Sequence, residues 1–221
     1  MCFSPEASFT ASVALFLISA ITIRKLLTSP HPRPQHWALV AVPLGFAIQQ
    51  FSEGLIWLSL LKQFNPVWQS TLVSIFIFFA FIFWPAYIPT CLAYFEISQT
   101  RKLILQILTG VGLSTATILL TSSLYFGISA QISSCHILYT LNLGHFESPW
   151  TYLLTISYLL ATVGAPLICS NRNMQVLGFL TGLAYLISYI FFFYYLTSVW
   201  CFFAALISLL IYLVIVKDLR K

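Results

Sequence analysis

The chain has 221 residues, of which 60% are hydrophobic, 17% aromatic and 7% charged, with a mean hydropathy of +0.94. Soluble domains carry roughly 25% charged residues, so a soluble fold is excluded. The net charge of +5 comes from basic residues set between apolar runs. It therefore reads as a topology signal, and nucleic-acid binding has no support.

Ser4-Pro5-Glu6 is a helix start: Ser as N-cap, Pro at the first helical position and an acid that the helix dipole favours. A first apolar run covers residues 7–23, followed by Arg24, Lys25 and the Pro-broken stretch 29–34. No cleavable signal peptide is expected, because the basic pair follows this run instead of preceding it. A second run covers residues 37–61. Asn65-Pro66 repeats the cap pattern and opens a third over 67–95, with Trp84-Pro85 and Pro89 expected to kink it. A fourth run, 103–126, contains Gly110, Gly112 and Ala116, small residues that permit close helix approach.

One long connection, 127–148, holds Cys135, His136, His145 and Glu147. A fifth run covers 150–170. A sixth, 176–197, carries Gly178 and Gly182 in GxxxG spacing, and a seventh covers 199–216. Each run approaches the ~20 residues that cross ~30 Å of hydrocarbon. The chain thus reads as all-α, a polytopic membrane protein with a single seven-helix transmembrane domain over residues 1–221. Six spans with one re-entrant run is the alternative. Arg24, Lys25, Arg33, Arg101, Lys102, Arg172, Lys217, Arg220 and Lys221 fall on one side, and Lys62 on the other. The positive-inside rule then puts the N-terminus outside and the C-terminus in the cytoplasm, in a cell inner membrane.

Glu53 is the acid placed inside a span away from both ends, about 12 Å below the outer boundary at ~1.5 Å per residue. An uncompensated charge there is costly, which makes an intramembrane acid a functional-site candidate. Gln49 lies one turn below it, Trp57 one turn above, and Gln50 within reach. The plain reading is a carboxyl that locks helix packing through the glutamines; the sharper one is a ligand-binding, proton-linked or catalytic group. Hydroxyl stripes in the fifth span (Thr151, Thr155, Tyr158, Thr162), the fourth (Ser114, Thr117, Thr121) and the first (Ser8, Ser12, Ser19) read either as packing glue or as the lining of a polar cavity.

Cys2 and Cys201 fall on the outer side with Cys135. They are candidates for a disulfide, for soft metal ligands, or for free packing thiols. His136 is either an ordinary loop histidine or part of a lid that folds over Glu53 together with Tyr139. His145, Glu147, His31 and His36 read as solvated loop residues, and Glu96 as an interfacial charge partner of Arg101 and Lys102. The seventh run has no interior lysine for a retinal Schiff base, and no histidine is expected inside a span to ligate haem.

Met1 to Ser8 (MCFSPEAS), Gln49-Gln50 with Glu53-Gly54 and Trp57, Phe83-Trp84-Pro85, His136-Ile137 with Tyr139, and Ser198 to Ala205 (SVWCFFAA) together resemble a family of uncharacterised prokaryotic integral membrane proteins. The resemblance covers nearly the whole chain and implies a multi-helix bacterial membrane protein, with no activity attached. It also implies that Cys2, Glu53, His136 and Cys201 form one constellation.

The leading expectation is an outward-facing polar cavity that binds a metal ion, copper or zinc, or a small ligand. Glu53, Gln49, Gln50, Trp57, Tyr139 and Tyr158 would contact the ligand, and Cys2, His136 and Cys201 would serve as metal ligands. The alternatives are a proton-coupled transporter or ligand sensor, and a membrane-embedded enzyme acting on a lipid or quinone.

Overall fold

A computed structural model describes residues 4–30, 32–141 and 149–219. Among these residues, seven helices are long and apolar enough to cross a membrane. The first two are α1 (Pro5–Thr28) and α2 (Pro34–Leu61). The third span, Pro66–Phe95, is α3 (Pro66–Ile77) and α4 (Trp84–Phe95) joined by a π-helical stretch, Phe78–Phe83. The fourth is α5 (Gln99–Phe126). The fifth, Pro149–Ile168, is α6 (Pro149–Leu159) and α7 (Ala165–Ile168) around a second π-helical stretch, Leu160–Gly164. The sixth is α8 (Arg172–Phe191). The seventh, Phe193–Leu219, is a 3₁₀ turn (Phe193–Tyr195), α9 (Leu196–Ser208) and α10 (Ile211–Leu219). The sixth span stops at Phe191, short of the boundary read from sequence. Phe192, at φ −136° and ψ 38°, breaks the helix before the run of aromatics ends.

The expected caps form. Ser4 accepts from the Ala7 N–H at 3.3 Å and Asn65 from the Val67 N–H at 2.9 Å. Both π stretches precede a proline, and each has a mechanical cause. Pro85 and Pro166 have rings that crowd the carbonyl four residues back, and each lacks an N–H to donate. Widening the turn moves the Trp84 N–H to Phe79 O and the Ala165 N–H to Leu160 O. In that register Pro85 falls opposite the Ala80 carbonyl and has no N–H to offer it. The Tyr158 hydroxyl makes the bond in its place, at 2.5 Å. So the proline kink expected near Trp84-Pro85 takes the form of a π turn tied to a neighbouring helix.

Close approach follows the small residues selectively. A Cβ on Gly112 would meet the Pro85 carbonyl oxygen at 1.8 Å, and one on Gly178 the Pro166 Cβ at 2.8 Å. Gly110 faces open space, so it takes no part in the helix packing expected of it. The stripe Ser114, Thr117 and Thr121 is exposed and bonds back to carbonyls of its own helix. It lines no polar cavity. In α1, by contrast, Ser12 crosses to the Ala47 carbonyl of α2 at 2.8 Å.

Two polar ties at helix ends correct the sequence reading. His36 is buried and not solvated, because Pro34 starts α2 early enough to put it in the first turn. Its Nδ1 accepts the Arg33 N–H at 3.2 Å, which leaves Nε2 to face Asp218 Oδ2 at 2.9 Å and join α2 to α10. Glu96 makes no ion pair with Arg101 or Lys102 among the described residues. It accepts instead from the N–H groups of Ile97 and Ser98 and from the hydroxyl and N–H of Ser170. Burial alone would push this carboxyl up, and the four hydrogen bonds outweigh it, holding the group below the usual carboxylate range. Arg101 reaches the cluster through the Ser170 hydroxyl at 3.0 Å.

The connection after α5 is not all loop. Gly127 ends the helix at φ 76° and ψ 164°, a conformation that in effect requires glycine. Strands β1 (Ile128–Ser133) and β2 (His136–Leu141) then pair antiparallel, with Ala130 opposite Tyr139 and Ser133 opposite His136. The turn residues Ser134 and Cys135 have φ of 45° and 62°, as a type I′ turn demands. The hairpin packs Ala130 and Ile137 against Ile56, Trp57, Phe76, Val199 and Cys201.

α2 is the most buried span and packs against α1, α3, α4, α9 and α10. Its lower half (Leu39, Val42, Phe46) belongs to one apolar cluster and its upper end (Ile56, Trp57) to the cluster beneath the hairpin. Gln49, Gln50 and Glu53 lie at the junction.

Candidate functional site

The polar face of α2 is covered by neighbouring elements and has no water for its side chains, so each one needs a partner inside the protein. Gln49, Gln50, Glu53 and Trp57 are all nearly or wholly buried, Glu53 at 1% exposure. Gly54 keeps the far side tight. A Cβ there would lie 2.7 Å from the ring of Phe9, which closes α1 over the helix beside the carboxyl.

The partners found are few. Ser198, at the start of α9, donates its hydroxyl to Glu53 Oε1 at 2.5 Å. Among the described residues Glu53 makes no ion pair. The Trp84 Nε1 donates to Gln49 Oε1 at 2.7 Å while its ring stacks on Phe46 at 3.9 Å. An indole N–H only donates, so this bond fixes the Gln49 oxygen toward Trp84 and turns its amide nitrogen the other way. Among the described residues no hydrogen-bond partner meets that nitrogen, Gln50 Nε2 and Oε1, the Trp57 Nε1 or the Tyr139 hydroxyl. Tyr139 enters from β2 with its ring stacked on Phe76 at 4.6 Å. The Tyr139 hydroxyl and the Cys201 thiol lie within electrostatic reach of Glu53, and Cys201 also adjoins Gln49.

Among the described residues the cluster therefore has four unpartnered atoms that can donate (Gln49 Nε2, Gln50 Nε2, Trp57 Nε1 and Tyr139 Oη) against two that can accept (Gln50 Oε1 and Tyr139 Oη), with Gln50 lying beside the Glu53 carboxyl and Gln49 beside the Cys201 thiol. Each such group costs about 1–3 kcal/mol while it stays unmade. Native interiors rarely leave several together without a reason. A family model described as "Family of unknown function (DUF6629)" matches residues 1–220. The chain belongs to this family. No curated protein and no solved structure matches it.

The structure thus brings Gln49, Gln50, Glu53, Trp57, Tyr139 and Cys201 together, and adds two residues that sequence reasoning passed over, Ser198 and Trp84. Ser198 carried one usable signal: it stands three residues before Cys201, on the same helix face. His136 is placed at the other end of β2. Its Nδ1 lies 2.7 Å from the Ser134 carbonyl oxygen, and its ring stacks on Tyr195 at 4.6 Å. Beside it, the Ser133 and Tyr195 hydroxyls bond at 3.0 Å and tie the hairpin to the 3₁₀ turn. Cys2 lies outside the described residues, as do His31, His145 and Glu147. Cys201 is a buried free thiol. Among the described residues no three His, Cys, Asp or Glu side chains form a group able to hold a metal.

Two cavities adjoin the cluster, one of about 100 Å³ and one of about 240 Å³. Tyr158 and Cys201 line both, and Glu53 lines neither. The space expected to open outward above Glu53 is taken up by Trp57 and the hairpin.

Proposed function

We propose that this membrane protein binds a small polar ligand rich in hydrogen-bond acceptors at the Glu53 cluster, beneath the β1–β2 hairpin, which acts as its cover. The carrying observation is the surplus, among the described residues, of buried donors without a partner around one buried carboxyl. A ligand oxygen set among Gln49, Gln50, Trp57 and Tyr139 would satisfy them, with Glu53 and Ser198 orienting it from the side. This balance favours an oxygen-bearing ligand over copper or zinc, since a cation needs acceptors and the cluster is short of them.

The protein sits in the inner membrane with its N-terminus and hairpin outside and its C-terminus in the cytoplasm. The basic residues at one end of the bundle support this, including Lys25 over the Tyr212 ring and Arg101 on Ser170. A second reading, ligand binding coupled to proton movement, is favoured by the absence of an ion pair at Glu53 among the described residues. A carboxyl without a fixed counter-charge can gain or lose a proton without breaking a salt bridge.

The test is a thermal-shift screen of the purified full-length protein with small carboxylates, amides and polyols, and with copper and zinc. One oxygen-bearing class is expected to stabilise it saturably, by about 2.7 kcal/mol at a hundred times its Kd. That shift should vanish in Gln50→Leu and fall in Glu53→Gln. Stabilisation by metal alone, or equal shifts in parent and variants, would count against the reading.

A further inference from the structure

We infer that the bundle also holds a binding site for the end of one acyl chain of a bilayer phospholipid, in the cavity of about 100 Å³ walled by Phe46, Trp84, Met174, Trp200 and Cys201. The polar side chains along this wall already bond inward. Tyr158 donates to Ala80 O, Thr162 to Tyr158 O and Thr181 to Leu177 O. Trp200 donates to Thr181 O, Ser208 to Ala205 O and Trp84 to Gln49 Oε1. What the wall presents is apolar surface with the thiols of Cys91 and Cys201, and an apolar cavity of this scale stays dry and takes an apolar guest. The contrast with the Glu53 cluster, where donors lack partners, is direct.

A way in exists. The second cavity, about 240 Å³, shares Tyr158, Trp200 and Cys201 with the first and lies between α6 and α9. α6 has no buried residue, and its Tyr152, Leu153 and Ile156 are more than half exposed. In a membrane that face meets hydrocarbon, so the guest within reach of the gap is a lipid chain. The site shares Trp84 and Cys201 with the cluster described above, but Glu53 itself borders neither cavity.

The test uses the full chain with Trp37→Phe, Trp68→Phe and Trp150→Phe, which removes exposed indoles and leaves Trp57, Trp84 and Trp200, each under 10% exposed. It is reconstituted into nanodiscs of phosphatidylcholine brominated along its acyl chains, since bromine quenches an indole on contact. Partial loss of fluorescence relative to unbrominated discs is expected, and Ala204→Phe and Ser208→Leu, which fill the cavity, should each abolish it. Adding Trp84→Phe and Trp200→Phe leaves only Trp57, which should be unquenched whether or not the filling variants fold. Glu53→Gln should leave the quenching unchanged. No quenching in the parent, undiminished quenching in a folded filling variant, or equal quenching of Trp57 alone would overturn the proposal.

Discussion

Tyr139→Phe should stabilise the ligand-free protein, against the usual sign for a substitution in a packed interior. The Tyr139 hydroxyl is buried without a partner among the described residues, while its ring stacks on Phe76 at an interplanar angle of 8°. Phe keeps the stack and removes the orphan. Leaving such a group unmade costs about 1–3 kcal/mol, and the unfolded chain in a membrane recovers part of that, so a gain of about 1 kcal/mol is expected. Ser198→Ala, in the same cluster, should act in the opposite direction, lowering stability by about 1–2 kcal/mol, because it strips the one hydroxyl found on Glu53. Both variants can be followed by circular dichroism during unfolding in mixed micelles of increasing SDS content. Opposite signs mark a site kept polar for something other than stability, the pattern expected where function and stability conflict. If Tyr139→Phe lowered stability by more than about 1 kcal/mol, the hydroxyl would already be satisfied inside the protein. The cluster would then be a packing lock.

Gly112→Ala should be among the most damaging single changes, costing about 3 kcal/mol or more, because its Cβ would overlap a backbone oxygen that cannot swing aside; thermal melts compared with Gly110→Ala, which should be near neutral, check this. Glu96 is held below the usual carboxylate range, so its contribution is fully present above that range and is lost as pH falls through its depressed value. Melting temperature should therefore drop on strong acidification, and Glu96→Gln should weaken that acid-side loss while lowering stability at neutral pH. For orientation, Gln131→Cys on the hairpin should react with a membrane-impermeant maleimide on intact cells above the parent's background, whereas Thr100→Cys, exposed in the first turn of α5, should react only after lysis.

The spans were legible because each is a long apolar run closed by a local signal: Ser4-Pro5, Asn65-Pro66 or a basic pair. The hairpin was harder to see. Ile128, Ala130 and Ile132 do alternate with Ser129, Gln131 and Ser133, but the turn is Ser134-Cys135 and not the Asn-Gly that usually announces a type I′ turn. The π turns were half legible, since Pro85 and Pro166 fix where they must occur while the residue that rescues Ala80, Tyr158, comes from another span. The long-range hydrogen bonds were not legible. His36 meets Asp218 across 182 positions, and Glu53 meets Ser198 across 145. Glu53, Gln49, Gln50 and Trp57 stood out because they share one helix. Their excess of unpartnered donors depends on Trp84, a residue of another span, taking the Gln49 oxygen.

The central claim, that the Glu53 cluster is shaped for a polar guest, is tested most directly by a density map of the protein extracted into nanodiscs with its native lipids, resolved well enough to show ordered solvent. The account predicts non-protein density larger than one water, within about 2.7–3.2 Å of at least two of Gln49 Nε2, Gln50 Nε2, Trp57 Nε1 and the Tyr139 hydroxyl. A map with those donors turned onto protein acceptors, and nothing between them, would contradict it.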